Sequence, residues 1–285
     1  MAKKPLERLA PEELIGLMDE ADGRALRAVA VARRMLAKAA GSAAKSLKSG
    51  GRLIYLGAGT SGRLGVLDAS ECPPTFSASP GQVVGVMAGG MKALYSAAEG
   101  AEDNMGLGQE AVRKLRVGPH DMVVGITASG TTPFVLAGLS EAISRGADAW
   151  LLSCAAKKPA HAGVKVINLN TGREVIQGST RLAAGTATKL ALNRISTGAF
   201  VQMGKVYGDL MVDVVPSNVK LVKRAVGIIT EIARCTEAEA AEALSESGGR
   251  PKVAALMLMR GIGCHAAEAL LEENGGFLRD AIGEV

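Results

Sequence analysis

Two sets of residues in this chain have types and spacings that could do chemistry: hydroxyl-glycine loops that suit an oxyanion, and carboxylates placed to move protons. Residues 57–75, GAGTSGRLGVLDASECPPT, put both on one connection, a loop with Thr60 and Ser61 and then Glu71. The loop follows RLIYLG (52–57), a short apolar run that reads as a buried strand, and precedes SGRLGVLDAS, which reads as a helix opening. A strand, a Gly/Ser/Thr turn and a helix N-terminus leave several backbone N–H groups without intrahelical partners, which suits a phosphate. Two loops of like composition recur, ASGTTP (128–133) and QGSTRLAAGT (177–186). Ser129 and Thr132 flank a helix start with Pro133 in its first turn, and Ser179 and Thr180 precede another helix. Each loop alone reads equally well as an N-cap. Together they predict a shared cradle, because loops after the strands of a doubly wound sheet converge at its carboxyl edge.

The acidic candidates are Glu71 and the cluster Glu99, Glu102 and Asp103 in AEGAEDN. Glu71 stands beside Cys72-Pro73-Pro74, which is expected to be a rigid, non-helical segment after the first helix. A carboxylate held in that way suits a general acid or base. The second cluster is expected at the end of a helix over MKALYSAAEGAED (91–103), where the macrodipole disfavours acids. Gly100 interrupts the helical pattern there, so Glu102 could turn inward; a solvated face is the alternative on pattern alone. Gly57, Gly59 and Gly62 also match the dinucleotide spacing G-x-G-x-x-G. That fingerprint needs an acidic residue about 20 positions on, at the end of a second strand, and VVGVMAGG (83–90) ends without one. The loop hydroxyls therefore favour a phosphate monoester.

These residues must be positioned by a scaffold that the rest of the chain describes. The 285 residues are 48% apolar and only 3% aromatic, enough to bury a full core but without a base-stacking platform for single-stranded nucleic acid. The formal charge of +5 is spread along the chain and suits anionic metabolites. Cys72, Cys154, Cys235 and Cys264 form no C-x-x-C pair, and His120, His161 and His265 share no ligand spacing with them, so neither a disulfide framework nor a metal site is expected. With no apolar run near 18 residues and no signal-like N-terminus, a cytoplasmic protein without membrane association is expected.

Residues up to about Lys48 read as helical, with Pro11-Glu12-Glu13 as a helix start. The runs RLIYLG, VVGVMA, MVVGIT, AWLLSC and VKVINL then alternate with helical stretches such as TPFVLAGLSEAISRG. Such alternation predicts an α/β fold, a doubly wound parallel five-stranded sheet covered on both faces. Past Gly172 the chain is expected to be mostly helical. AAEALSESGGRPKVA (240–254) matches AEALLEENGGFLRDA (267–281), each copy reading as a helix, a glycine C-cap and a further helix. The expected organisation is an N-terminal helical segment (1–48), the sheet domain (49–215) and a small C-terminal helical appendage (216–285).

GRLIYLGAGTSGRLGVLDASECPPTF, EGAED, SGTTPFVLAGL, GSTRLAAGTATKLALN and LMVDVVPSNVKL together resemble the N-acetylmuramic acid 6-phosphate etherases, members of the sugar isomerase (SIS) fold superfamily. The resemblance runs from about Gly51 to the C-terminus, and DASECPPT is its most specific motif. It implies an SIS-type αβα sandwich and a lyase that cleaves the D-lactyl ether of N-acetylmuramic acid 6-phosphate, in cell-wall sugar recovery. No cofactor is implied. The family's two functional glutamates fall on Glu71, as proton donor, and Glu102. Gly59, Thr60, Ser61, Gly62, Arg63, Ser70, Ser129, Gly130, Thr132, Ser179 and Thr180 are the expected substrate contacts. By analogy with SIS domains, which commonly pair, a homodimer with its site near the interface is expected. This chain has Ala184 and Thr131 where the family usually carries lysine and arginine. The competing reading from another class is a non-catalytic sugar-phosphate sensor like the related glucokinase regulatory proteins. A transcription regulator lacks a helix-turn-helix pattern here, and an aldose–ketose isomerase would not need the lactyl-ether motif.

Overall fold

A computed structural model of the chain describes residues 4–96 and 98–283; residues 1–3, Ala97 and 284–285 lie outside it. After a short 3-10 turn (Leu6–Arg8), α1 (Pro11–Val31) and α2 (Arg33–Lys48) lead into the alternating part of the chain. Pro11 occupies the first turn of α1, and the Glu13 carboxylate reaches back to the amide of Ala10, so the expected start is the observed one. Next come β1 (Leu53–Gly57), α3 (Gly59–Phe76), β2 (Val83–Met87), α4 (Lys92–Tyr95), α5 (Met105–Lys114), β3 (Met122–Thr127), α6 (Pro133–Ser144), β4 (Asp148–Ser153), β5 (Lys165–Asn168) and α7 (Ala183–Val201). A two-residue hairpin joins β6 (Val206–Tyr207) to β7 (Leu210–Met211), and α8 (Val219–Ala233), α9 (Glu237–Glu246), α10 (Pro251–Arg260), α11 (Cys264–Glu273) and α12 (Leu278–Ile282) complete the chain.

The five apolar runs form one parallel sheet in the order β2-β1-β3-β4-β5. Strands buried on both faces need no alternation, which is why they read as continuous apolar runs. Ile54, Leu56, Val123 and Leu151 face a core closed by Val112 of α5 and by Phe134, Val135 and Leu139 of α6. On the other face a Cβ at Gly65 of α3 would lie 2.9 Å from the Cβ of Tyr55, so only glycine lets α3 sit this close to β1. The same face carries a buried polar tie: Asp68 of α3 accepts from Tyr55 Oη at 2.8 Å, Asn193 Nδ2 at 2.7 Å and Ser196 Oγ at 3.1 Å, holding α3 to α7. At the amino edge of the sheet Asp121 takes the Arg52 amide at 2.9 Å and the Arg52 guanidinium at 3.1 and 2.7 Å.

The described chain divides into two compact units, one comprising the chain up to Ser70 with Gly81–Ser196, the other Glu71–Pro80 with the chain from Thr197 onward. The second unit has its own core, with Phe76 stacked on Phe200 at 4.7 Å between ring centroids. In it Asp213 pairs with Lys205 at 2.8 Å and with the buried Lys252 at 2.9 Å.

Two expectations are corrected here. The helix runs through Pro73 and Pro74 to Phe76, because proline's fixed φ is helical; what it removes is the amide donor to the carbonyls of Ala69 and Ser70, and the helix stops two residues later. The expected helix over 91–103 is only α4, ended by the extended backbone of Ser96, and a 3-10 turn, Ala101–Asp103, follows the left-handed Gly100. Glu102 and Asp103 thus precede the N-terminus of α5, the end of a helix where acids are favoured.

Candidate active site

The first unit gathers two of the three hydroxyl loops and part of the third at one cavity of about 280 Å³ on the carboxyl edge of the sheet. It is lined by Gly59, Thr60, Ser61, Thr127, Ser129, Thr131, Thr132 and Thr180, with Glu102 and Asp103 on its acidic side. The β1-to-α3 turn is tight: a Cβ at Gly57 would meet the amide nitrogen of Gly62 at 2.7 Å. The first i→i−4 bond of α3 is Gly62 N–H to Ala58 O, at 3.1 Å. The amides of Gly59, Thr60 and Ser61 come before that bond and have no intrahelical acceptor.

The second loop is built around Thr127, the last residue of β3 and 2% exposed. Its hydroxyl is 2.7 Å from that of Thr132 and 3.3 Å from that of Ser129, and it accepts the Gly130 amide at 3.2 Å. Ser129 Oγ in turn accepts from the Thr131 amide at 3.2 Å and the Thr131 hydroxyl at 3.0 Å. Thr132, at the N-cap of α6, makes no side-chain cap bond, and Pro133 has no N–H to give. These hydroxyls bond one another and the amides of their own loop rather than cap α6. Gly130 has φ +80, and a Cβ there would lie 3.1 Å from Pro159 Cγ and from Ser153 Oγ.

In the third loop the cap of α7 comes from elsewhere. Glu174 accepts the Ala183 amide at 3.0 Å and the Ala184 amide at 2.9 Å, one on each carboxylate oxygen. Its charge fills the anion site that the N-terminus of α7 would otherwise present. Thr180 lines the cavity, while the Ser179 amide is turned to Ile176 O at 3.1 Å. Near Ala184, burial pushes the Cys154 thiol up to about 11, with the Glu174 charge adding to the shift, so Cys154 is neutral at pH 7.

A second lobe of about 240 Å³ shares Ala58, Gly59 and Glu102 with the first and adds Arg63, Glu99 and several alanines. Arg63 spends its guanidinium on backbone carbonyls, those of Leu94 at 3.1 Å, Ala93 at 2.7 Å and Ser96 at 3.3 Å. Ser70, which ends the first of the first unit's two segments, donates to Leu67 O at 2.8 Å, and Glu71 is an exposed residue of α3 in the second unit. Among the described residues no group of three His, Cys, Asp or Glu side chains could hold a metal ion, and no single helix is long and apolar enough to cross a membrane.

The doubly wound sheet with hydroxyl loops gathered at its carboxyl edge is that of an SIS domain, and the description "Glucokinase regulatory protein N-terminal SIS domain" matches residues 35–143. The chain is 46% identical over 284 residues to the N-acetylmuramic acid 6-phosphate etherase of Cutibacterium acnes, covering 99% of this chain and 93% of that one. It is 48% identical over 278 residues to the enzyme of the same name from Cronobacter sakazakii, covering 97% and 94%. Among solved structures, phosphoheptose isomerase from Neisseria gonorrhoeae matches with a TM-score of 0.43 and 16% identity, over 66% of this chain and 97% of that one. The chain belongs to the N-acetylmuramic acid 6-phosphate etherase family.

Proposed function

We propose that this protein cleaves the D-lactyl ether of N-acetylmuramic acid 6-phosphate, a carbon–oxygen lyase reaction giving N-acetylglucosamine 6-phosphate and D-lactate in amino-sugar recycling. The observation that carries the reading is the continuity of the first unit's cavity, from the hydroxyls of two loops and the first-turn amides of α3 to the carboxylate of Glu102. A 6-phosphate held by the hydroxyl side is a remote handle whose binding energy orients the reacting carbons. In the open-chain sugar the C1 aldehyde acidifies the C2 proton. Glu102 removes that proton, Glu71 protonates the ether oxygen as the C3–O bond breaks, and D-lactate leaves. Water then adds across the C2=C3 double bond, its hydroxyl to C3 and a proton to C2, and the carboxylates return to their starting states. The proposed working form is a cytoplasmic homodimer, by analogy with other SIS domains.

The match to the regulatory SIS domain favours one second reading, a sugar-phosphate sensor without turnover. D-lactate release from N-acetylmuramic acid 6-phosphate by purified wild type, Glu71→Gln and Glu102→Gln separates the two. The etherase reading predicts release by wild type and a loss of at least about 100-fold in kcat for each variant, the scale of a lost general acid or base. Tight sugar-phosphate binding with no release by wild type is the sensor's result.

A further inference from the structure

We propose that the cavity of about 390 Å³ at the amino edge of the sheet is a second anion site, which takes the phosphate group of free phosphate or of a small phosphate monoester. This goes beyond the etherase reading and does not depend on it. Ser42, Lys45, Ser46 and Ser49 recur at i, i+3, i+4 and i+7, the spacing of one helix face, and α2 turns that face to the cavity while Ala43, Ala44 and Leu47 are buried in the core. His120 lines the cavity from the loop before β3, and Asp148 and Lys165, the first residues of β4 and β5, line it from the sheet. In a parallel sheet this end lies opposite the carboxyl edge that carries the hydroxyl cavity. A Cβ at Gly51 would lie 1.9 Å from His120 O, so glycine there lets the loop close directly on the end of α2.

The balance of charge selects an anion. Asp148 accepts from the Lys165 ammonium at 2.7 Å and from Trp150 Nε1 at 3.1 Å, and the Ser42 hydroxyl adds a third donor. Burial alone would raise its carboxyl, but these donors and the Lys165 charge outweigh it and hold it below its ordinary range, so it is ionised and already served. Lys45 makes no ion pair among the described residues, and no hydrogen bond among them occupies the side chains of Ser46, Ser49 or His120. Two ammonium groups thus stand against one carboxylate. The carbonyl end of α2, which would repel an anion, is closed by its own chain: Ser49 N–H goes to Lys45 O at 3.0 Å, Gly50 N–H to Leu47 O at 3.2 Å and Gly51 N–H to Ser46 O at 2.9 Å. A cation would meet the excess positive charge, and an apolar ligand would cover the hydroxyls without bonding them. A phosphate group brings three or more acceptor oxygens to Lys45, the imidazole and two hydroxyls, and its bonds to the ammonium are charge-assisted. The cavity exceeds the 280 Å³ of the hydroxyl cavity, room enough for a monoester as well as for the free ion.

The chain has three histidines, His120, His161 and His265, so the imidazole Cε1 proton of His120 is a site-specific NMR reporter, assigned by its loss in His120→Gln. The protein is titrated near neutral pH with sodium phosphate, with glucose 6-phosphate and with sodium chloride at matched ionic strength, because salt alone screens exposed charge. A saturable shift of the His120 signal with at least one phosphate probe, and none with chloride, is expected. The probe that saturates at the lower concentration identifies the free ion or the monoester as the ligand. Lys45→Ala, a change at an exposed residue, should weaken that binding at least about tenfold, the scale of one lost charge-assisted hydrogen bond, and Lys45→Arg should retain it. Ser129→Ala, in the hydroxyl cavity, should leave the His120 response as it is. No saturable shift, a shift that chloride reproduces, one that Lys45→Ala leaves untouched, or one lost in Ser129→Ala would overturn the assignment. D-lactate release enters none of these outcomes, so the etherase reading stands or falls separately.

Discussion

Glu174 does at the start of α7 what Ser179 and Thr180 were placed to do. Sequence reasoning could find the hydroxyls, since Ser and Thr before an apolar run carry a local signal. It missed Glu174 because nine residues separate this carboxylate from the Ala183 amide it takes, far outside the spacing of a capping box. Thr127 was missed for a milder reason: it ends a strand, and only its position at the carboxyl edge marks it as the hub of a hydroxyl network. Because Glu174 serves two buried residues, Glu174→Ala should cost about 2 kcal/mol, the upper end for a lost cap, and Glu174→Gln should recover part of it. Chemical denaturation measures this, and an unchanged midpoint in Glu174→Ala would show that water replaces the cap without loss.

The five strands were legible as elements because burial on both faces makes each a continuous apolar run, and every run named from the sequence is a strand of the sheet. The C-terminal repeat was legible too, down to its caps: Gly249 N–H reaches Leu244 O at 2.8 Å, and Gly276 N–H reaches Leu271 O at 2.7 Å. What failed was the use of proline as an absolute stop, since α3 accepts two prolines in its last turn. The β6–β7 hairpin had a signal that went unread, Gly208-Asp209 between two apolar pairs, with Gly208 at φ +60. The elements at the amino edge carry their own test. Burial alone would raise Asp121, but the hydrogen bonds and charge of Arg52 and the amide of Gly118 outweigh it and hold the carboxyl below its ordinary range. A depressed native-state value gives stability that is complete above the ordinary carboxylate pKa of about 4 and is lost as pH falls through the lower value. Asp121→Asn should therefore cost about 2 kcal/mol at pH 7, midway between exposed and buried pairs, and the gap to wild type should close below about pH 4. A gap that stays constant in denaturant titrations down to pH 2 would contradict this account of the pair.

At the scale of the molecule, Glu102 belongs to the first compact unit and Glu71 to the second. The chain crosses between the units three times, inside α3, at Pro80–Gly81 and inside α7, and two of these crossings lie within helices that carry no linker composition. The cavity itself is compositionally plain, a set of hydroxyls and glycines. On this account it works by holding a phosphate at a distance from the bond that breaks. The most direct measurement is kcat/KM for D-lactate release from N-acetylmuramic acid 6-phosphate against unphosphorylated N-acetylmuramic acid. A loss of at least about 1,000-fold without the phosphate is predicted, the scale expected when a remote charged handle supplies orientation. Equal turnover of the two sugars would contradict the assignment of the hydroxyl cavity to the phosphate.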